Sequence, residues 1–217
     1  GWSAGGTASQ AGQYRAGFGT LTAGAVAGAR TPAPASSNAT EHYNGTSWTS
    51  GGNLPASIYL PGNQAAGTQT AGLAFGGDTG PGSSFPTASY EYDGSSWSSG
   101  GSTNTARSYG AGSGTQTPAF FACGTTPPFS VDNASVAFEQ YNGSSWTSGP
   151  TTMGTARMGS GRALGTGSNT ANIASGGYTS TPVSTTEEYN SSVNIITAAA
   201  WSSAPTLPES KYTNAGA

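Results

Sequence analysis

The hexapeptide Tyr92-Asp93-Gly94-Ser95-Ser96-Trp97 recurs as Tyr43-Asn44-Gly45-Thr46-Ser47-Trp48 and as Tyr141-Asn142-Gly143-Ser144-Ser145-Trp146, so the chain is a repeat. The tyrosines at 43, 92, 141 and 189 are spaced by 49, 49 and 48 residues, a period that belongs to propellers and arrays. Asn-Gly or Asp-Gly between β-formers signals a hairpin, because a two-residue type I′ turn requires positive φ at both central positions. Each copy is therefore expected to be a strand, a tight turn and a second strand. The Tyr and Trp flanking the turn are large enough to need a neighbouring unit to cover them.

Laid on this register, the units are 2–47, 48–96, 97–145 and 146–200, followed by a partial unit 201–217, all within one repeat domain spanning 1–217. After each Trp the chain turns through small residues, as in Ser50-Gly51-Gly52 and Ser99-Gly100-Gly101. A basic residue follows in most copies, at Arg15, Arg107, Arg157 and Lys211, whereas the second unit has Ile58-Tyr59 nearby. A second turn recurs as Gly19-Thr20-Leu21-Thr22, Gly67-Thr68-Gln69-Thr70, Gly114-Thr115-Gln116-Thr117 and Gly167-Ser168-Asn169-Thr170. The strand beyond it closes on Gly76-Gly77 or Gly176-Gly177, with Cys123-Gly124 and Gly28-Ala29 as variants. A Pro-containing loop then leads back to the Tyr strand, giving four strands per unit joined by connections of ordinary length. Only the fourth unit lengthens its Tyr-to-Trp hairpin, from Tyr189 to Trp201, and the pattern resumes in register at Ser202-Ser203-Ala204-Pro205.

Composition narrows the function. Six Lys and Arg against nine Asp and Glu give a net charge of −3, which leaves no basic field for nucleic acid and no polybasic membrane anchor. Gly contributes 35 of 217 residues, a content that would suggest disorder were the aromatics not periodic. No apolar run reaches the length of a membrane span. Cys123 is the only cysteine and His42 the only histidine, so there is no disulfide framework and no cluster with metal-ligand spacing. Neither a metal nor a cofactor is expected.

A strand ending in Gly-Gly, then Tyr with Asp or Asn, a turn and Trp, and an Arg before the next unit's first strand resembles the kelch repeat. The resemblance covers essentially the whole chain and implies an all-β fold, a kelch-like β-propeller of four-stranded antiparallel blades. Kelch-like propellers carry more blades than four, so it also implies an incomplete ring in this segment and a native polypeptide that extends past it. On that register Trp2 belongs to a last strand and 211–217 to a first strand. The Gly-, Ser- and Thr-rich wording, Asn142-Gly143-Ser144-Ser145-Trp146-Thr147-Ser148-Gly149 above all, is similar to repeat proteins of tailed bacteriophages of marine bacteria. That similarity implies a virion or extracellular location and a tail-fibre or receptor-binding role.

Strand direction alternates within a blade, so the Gly-Thr-Gln-Thr and Asn-Gly turns share one face, while the Pro-rich loops and the Arg positions share the other. Loops carry binding on a rigid scaffold, which makes the second face the expected binding face. Candidate ligand contacts there are Arg107, Arg157 and Lys211, as forked or point-charge donors to a glycan, and Phe85, Phe129 and Tyr178, as stacking platforms. The bland alternative is that the arginines cap blade-end carbonyls and the aromatics pin their loops. Glu41, Glu139 and Glu187 stand two residues before the repeat Tyr. Being repeat-spaced, they are expected to face solvent or bond a neighbouring strand rather than to act as a catalytic pair. Cys123 stands where the second unit has Gly76, which suits a buried small residue better than a nucleophile.

The expected function is a non-catalytic structural or binding propeller. Its partners are other structural subunits, further copies of itself, or a host-surface glycan or receptor. The alternative is a secreted propeller-fold carbohydrate-active enzyme.

Overall fold

In the computed structural model the described residues are 1–33, 35–80, 84–168, 170–191 and 200–204. They form four antiparallel four-stranded sheets arranged as the blades of a β-propeller. The first blade is β1 (Ala16–Thr20), β2 (Ala23–Arg30), β3 (Ser36–Tyr43) and β4 (Trp48–Ser50). The second is β5 (Ala65–Thr68), β6 (Ala71–Phe75), β7 (Ser89–Tyr92) and β8 (Trp97–Ser99). The third is β9 (Ala111–Gly114), β10 (Ala119–Ala122), β11 (Phe138–Tyr141) and β12 (Trp146–Ser148). The fourth is β13 (Met158–Gly167), β14 (Ala171–Tyr178), β15 (Thr186–Asn190) and β16 (Ala200–Ala204). Strand order within every blade follows the sequence, and β1, β5, β9 and β13 pack side by side as the innermost strands. Each Trp thus closes the sheet of its own Tyr, so the blades run Tyr strand to Trp strand without the break that the sequence units place between them. Trp2 lies outside any strand and is fully exposed, unlike the last-strand position expected of it.

The Tyr–Trp hairpin departs from the expected type I′ turn. Tyr43 pairs with Trp48, Tyr92 with Trp97 and Tyr141 with Trp146, leaving a four-residue loop between them. Only the glycine of each loop has positive φ, at +95°, +97° and +97° for Gly45, Gly94 and Gly143. The preceding side chain does the remaining work. Asn44, Asp93 and Asn142 each accept the N–H groups two and three residues ahead, at 2.7–2.9 Å. In the fourth blade Tyr189 still pairs with Trp201, so the lengthened connection leaves the register intact.

Blades are joined by bonds that repeat with the period of the sequence. Trp97 Nε1–H donates to Thr40 Oγ1 in the first blade at 2.9 Å, and Trp146 Nε1–H to Ser89 Oγ in the second at 3.3 Å. The Tyr92 hydroxyl lies 2.8 Å from His42 Nε2, and the Tyr141 hydroxyl donates to Glu91 Oε1 at 2.6 Å. Burial lowers the His42 pKa, which favours the neutral ring. Gln69 of the second turn in one blade reaches back to the carbonyls of Gly24 and Tyr43, and Gln116 likewise to those of Gly72 and Tyr92. Each seam is therefore an apolar contact framed by satisfied polar groups, and the core lies between blades. Tyr92, Phe75, Phe121 and Tyr141 are almost fully buried there, with Phe75 and Trp146 ring centroids 4.8 Å apart.

Candidate functional site on the loop face

The topology places the loops after β2, β6, β10 and β14 on one face, together with the segments that lead from one blade into the next. The two hairpin turns of each blade lie on the other. Three of the six residues singled out on the loop face, Arg107, Arg157 and Phe85, are buried and not free to meet a ligand. Arg107 and Arg157, expected as ligand contacts, are fully buried. Arg107 pairs with Glu139 at 2.8 Å and donates to the carbonyls of Cys123 and Ala137. Arg157 pairs with Glu187 at 2.5 Å and donates to the carbonyls of Gly176 and Thr185. Arg15 and Glu41 form the same pair at 2.6 Å in the first blade.

The carboxylates also hold the incoming chain, since Glu139 accepts from the N–H groups of Asn104 and Thr105, and Glu187 from those of Gly154 and Thr155. These glutamates do not face solvent; in the first, third and fourth blades they latch the approach to the first strand onto the third strand. The second blade confirms the pairing by its exception, for Ile58 and Tyr90 stand at the two positions and pack in one apolar cluster.

Of the aromatics, Phe85 is buried, Tyr178 is half-buried at the end of β14 with its backbone bridged to Pro182, and Phe129 is exposed. Lys211 lies outside the described residues. Cys123 is fully buried, and burial pushes its thiol pKa up. Among the described residues there is no group of three His, Cys, Asp or Glu able to hold a metal, and no helix long and apolar enough to cross a membrane.

What does converge on this face is a set of tyrosines at the approaches to the innermost strands, of which Tyr59 and Tyr109 are buried and Tyr14 is half-buried. The Tyr14 ring centroid is 5.8 Å from that of Tyr59 and 6.1 Å from that of Tyr109, and Tyr109 is 4.9 Å from Phe129. The Tyr59 hydroxyl donates to Asp78 Oδ2 at 2.7 Å, and Asp78 Oδ1 accepts the Gly80 N–H at 2.9 Å, so this carboxylate is buried and held. Arg30, the last residue of β2, is half-buried and makes no ion pair among the described residues. It faces Gln13 across a backbone bridge and lines a depression of about 210 Å³ with Gln13, Thr31 and Pro32. Burial, Tyr14 and Asp78 push the Tyr109 phenol up to about 12, while the Arg30 charge pulls the other way. The phenol is therefore a neutral donor at physiological pH rather than a nucleophile.

Backbone geometry sets two of these tyrosines apart. The residue two before the innermost strand is left-handed in three blades, with φ of +57° at Tyr14, +62° at Asn63 and +58° at Tyr109. The conformation serves the seam, because the Tyr14 carbonyl accepts the Leu60 N–H at 2.8 Å and the Tyr109 carbonyl the Gly159 N–H at 2.6 Å. Asn suits that conformation, whereas a bulky Tyr adopts it at a cost of about 1–3 kcal/mol. Tyr at 14 and 109 is thus more than the backbone requires. Sequence reading passed over Tyr14, Tyr59, Tyr109, Asp78 and Arg30; the signal available was a Tyr beside three of the four unit openings, at Tyr14-Arg15, Ile58-Tyr59 and Arg107-Ser108-Tyr109.

No family model matches the sequence, and neither does any curated protein. Among solved structures the chain is similar to the structure of YjhT, with a TM-score of 0.71 over 90% of this chain and 70% of that one. Sequence identity is 10%, so the likeness is one of fold alone. The chain is an all-β protein of four antiparallel four-stranded blades with the architecture of a β-propeller.

Proposed function

We propose that this chain is a non-catalytic binding and structural propeller of a virion or other extracellular assembly, which engages a host-surface glycan or receptor through its loop face. The observation that carries the reading is the exposed Phe129 packed on Tyr109, which in turn packs on the half-buried Tyr14, on that face. The opposite face carries short turns closed by their own side chains. The kelch-like order of diglycine, Tyr, turn and Trp, and the phage-like wording of the repeat, favour the same assignment. A binding role is favoured over glycoside hydrolysis because the repeat-spaced carboxylates Glu41, Glu139 and Glu187 are each taken up by an arginine of their own blade. Sedimentation of the native material tests the location: travel with a particle of virion size is expected. A small soluble species that turns over glycans would overturn both the location and the absence of catalysis.

A further inference from the structure

We infer that the face of the fourth blade turned away from the third docks a second copy of this chain, which seats the Tyr43–Trp48 hairpin of its first blade there, head to tail. The inference is independent of what the loop face binds. Within the chain the seam between blades is built three times on one pattern. Apolar residues on the second strand of one blade receive the aromatics of the next: Ala27 clusters with Tyr92 and Trp97, Leu73 and Phe75 with Tyr141 and Trp146, and Phe120 with Tyr189. The polar contacts recur as well. The incoming Tyr hydroxyl meets His42 in the first seam and Glu91 in the second, while the incoming indole N–H donates to Thr40 and then to Ser89.

Both halves of this seam are left over at the ends of the molecule. In the fourth blade Ile173 pairs with Glu188 and Ser175 with Thr186, as Leu73 pairs with Glu91 and Phe75 with Ser89 in the second. Leu73 and Phe75 are fully buried by the third blade, whereas Ile173 is half-buried and Glu188 exposed, beside an open depression of about 280 Å³. The other half lies on the first blade. Tyr43 and Trp48 are half-buried where Tyr92, Tyr141, Trp97 and Trp146 are buried, and the Trp48 indole turns to the Gly6 carbonyl at 3.0 Å. Among the described residues neither the Tyr43 hydroxyl nor the Glu188 carboxylate has a hydrogen-bond partner, and the second seam joins just such a pair, Tyr141 to Glu91. The chain does not fill its own fourth blade. Innermost strands pack β1 on β5, β5 on β9 and β9 on β13, with no such packing of β13 on β1 among the described residues. In the seam geometry β16 of one copy takes the place of residues 2–4 of the next, because Gly5 stands to the Tyr43 hydroxyl as Gly51 does to that of Tyr92. Residues 2–4 are exposed and outside any strand, so they can move aside. The contact uses a different surface on each copy, and it therefore repeats from copy to copy unless a ring closes.

The test is sedimentation equilibrium of the 217-residue chain over a wide range of concentration. The average mass should rise from that of one chain, 21.3 kDa, towards multiples of it. Glu188→Arg and Tyr43→Glu, one on each half of the contact, should each weaken association at least about tenfold. Mixing the two variants should restore it, because the intact Tyr43 of one still meets the intact Glu188 of the other. Thermal unfolding establishes that each variant folds; Tyr43→Phe, which keeps the ring and should weaken association severalfold, serves if Tyr43→Glu does not. The mass of one chain at every concentration would overturn the inference. So would association that either variant leaves unchanged or that mixing fails to restore, since another surface would then be responsible. A native polypeptide longer than these residues that stays monomeric would put a further blade of the same chain on this face, and would overturn the second copy as its occupant.

Discussion

Asp93 fills a turn position that is Asn in two other blades, and the substitution has an electrostatic consequence. The N–H groups of Ser96 and Ser95, then their hydroxyls, hold its carboxyl well below the usual carboxylate range. A depressed carboxyl contributes stability that is present above its unfolded pKa and lost as pH falls through the folded value. Replacing it with Asn, as at 44 and 142, keeps the hydrogen-bond geometry and removes the charge. Thermal melts of the wild type and Asp93→Asn should therefore draw together as pH falls from about 5 to about 2. A gap unchanged over that range would show that the turn is indifferent to the charge.

Gly77 is a second position where one residue decides local structure. Its φ is +93°, and a Cβ there would lie 2.7 Å from the Tyr59 carbonyl oxygen. Gly77→Ala should lower the unfolding free energy by more than the roughly 1–2 kcal/mol of left-handed strain alone, measured by denaturant titration. A smaller loss would mean that the loop relaxes freely.

Within the blade, the buried Arg–Glu latch is the element that ties the approach of the first strand to the third. Arg107 stacks over the Phe121 ring at 4.0 Å while its terminal nitrogens serve Glu139 and two carbonyls. Removing one partner strands a buried charge, so Glu139→Gln or Arg107→Ile alone should cost about 3–5 kcal/mol. The second blade shows an alternative that the same scaffold accepts, Ile58 with Tyr90. The double variant Arg107→Ile with Glu139→Tyr should therefore be more stable than Arg107→Ile alone, as read from a double-mutant cycle. Additive losses would show that the carbonyl bonds, rather than the ion pair, make the latch. This pairing was written in the sequence as joint presence in the first, third and fourth units and joint replacement in the second. It stayed hidden because Arg107 and Glu139 lie 32 positions apart, and repeat-spaced charges read most simply as solvated. Tyr14, Tyr59 and Tyr109 were missed for a related reason, since they lead into different blades and only the ring geometry of the propeller brings them together.

At the scale of the molecule, the period of 49 residues specified the architecture because each strand pair is local and each blade needs the next to cover its aromatics. Four strands per unit, the two families of turns on one face and, although Trp48 is only half-buried, the burial of Trp97 and Trp146 between blades were all legible. The turn type was not. Asn-Gly favours a two-residue turn in isolation, whereas the Asn or Asp side chain here closes a wider loop by accepting two N–H groups. The seam is where the stability of such an assembly resides. Trp97 is buried against the first blade and bonded to Thr40, so Trp97→Ala should cost about 3–5 kcal/mol, and a loss under about 1 kcal/mol would remove it from the core.

The central claim is that the loop face binds and the hairpin face only supports it. The direct measurement is attachment to host-surface glycans by two variants that each place a charge on one face. Phe129→Glu alters the loop face, and Leu21→Glu alters an exposed turn residue on the other. Attachment should fall at least about tenfold in Phe129→Glu, a difference of about 1.4 kcal/mol, and stay at the wild-type level in Leu21→Glu. Full attachment by Phe129→Glu, or its loss in Leu21→Glu with folding intact, would contradict the account.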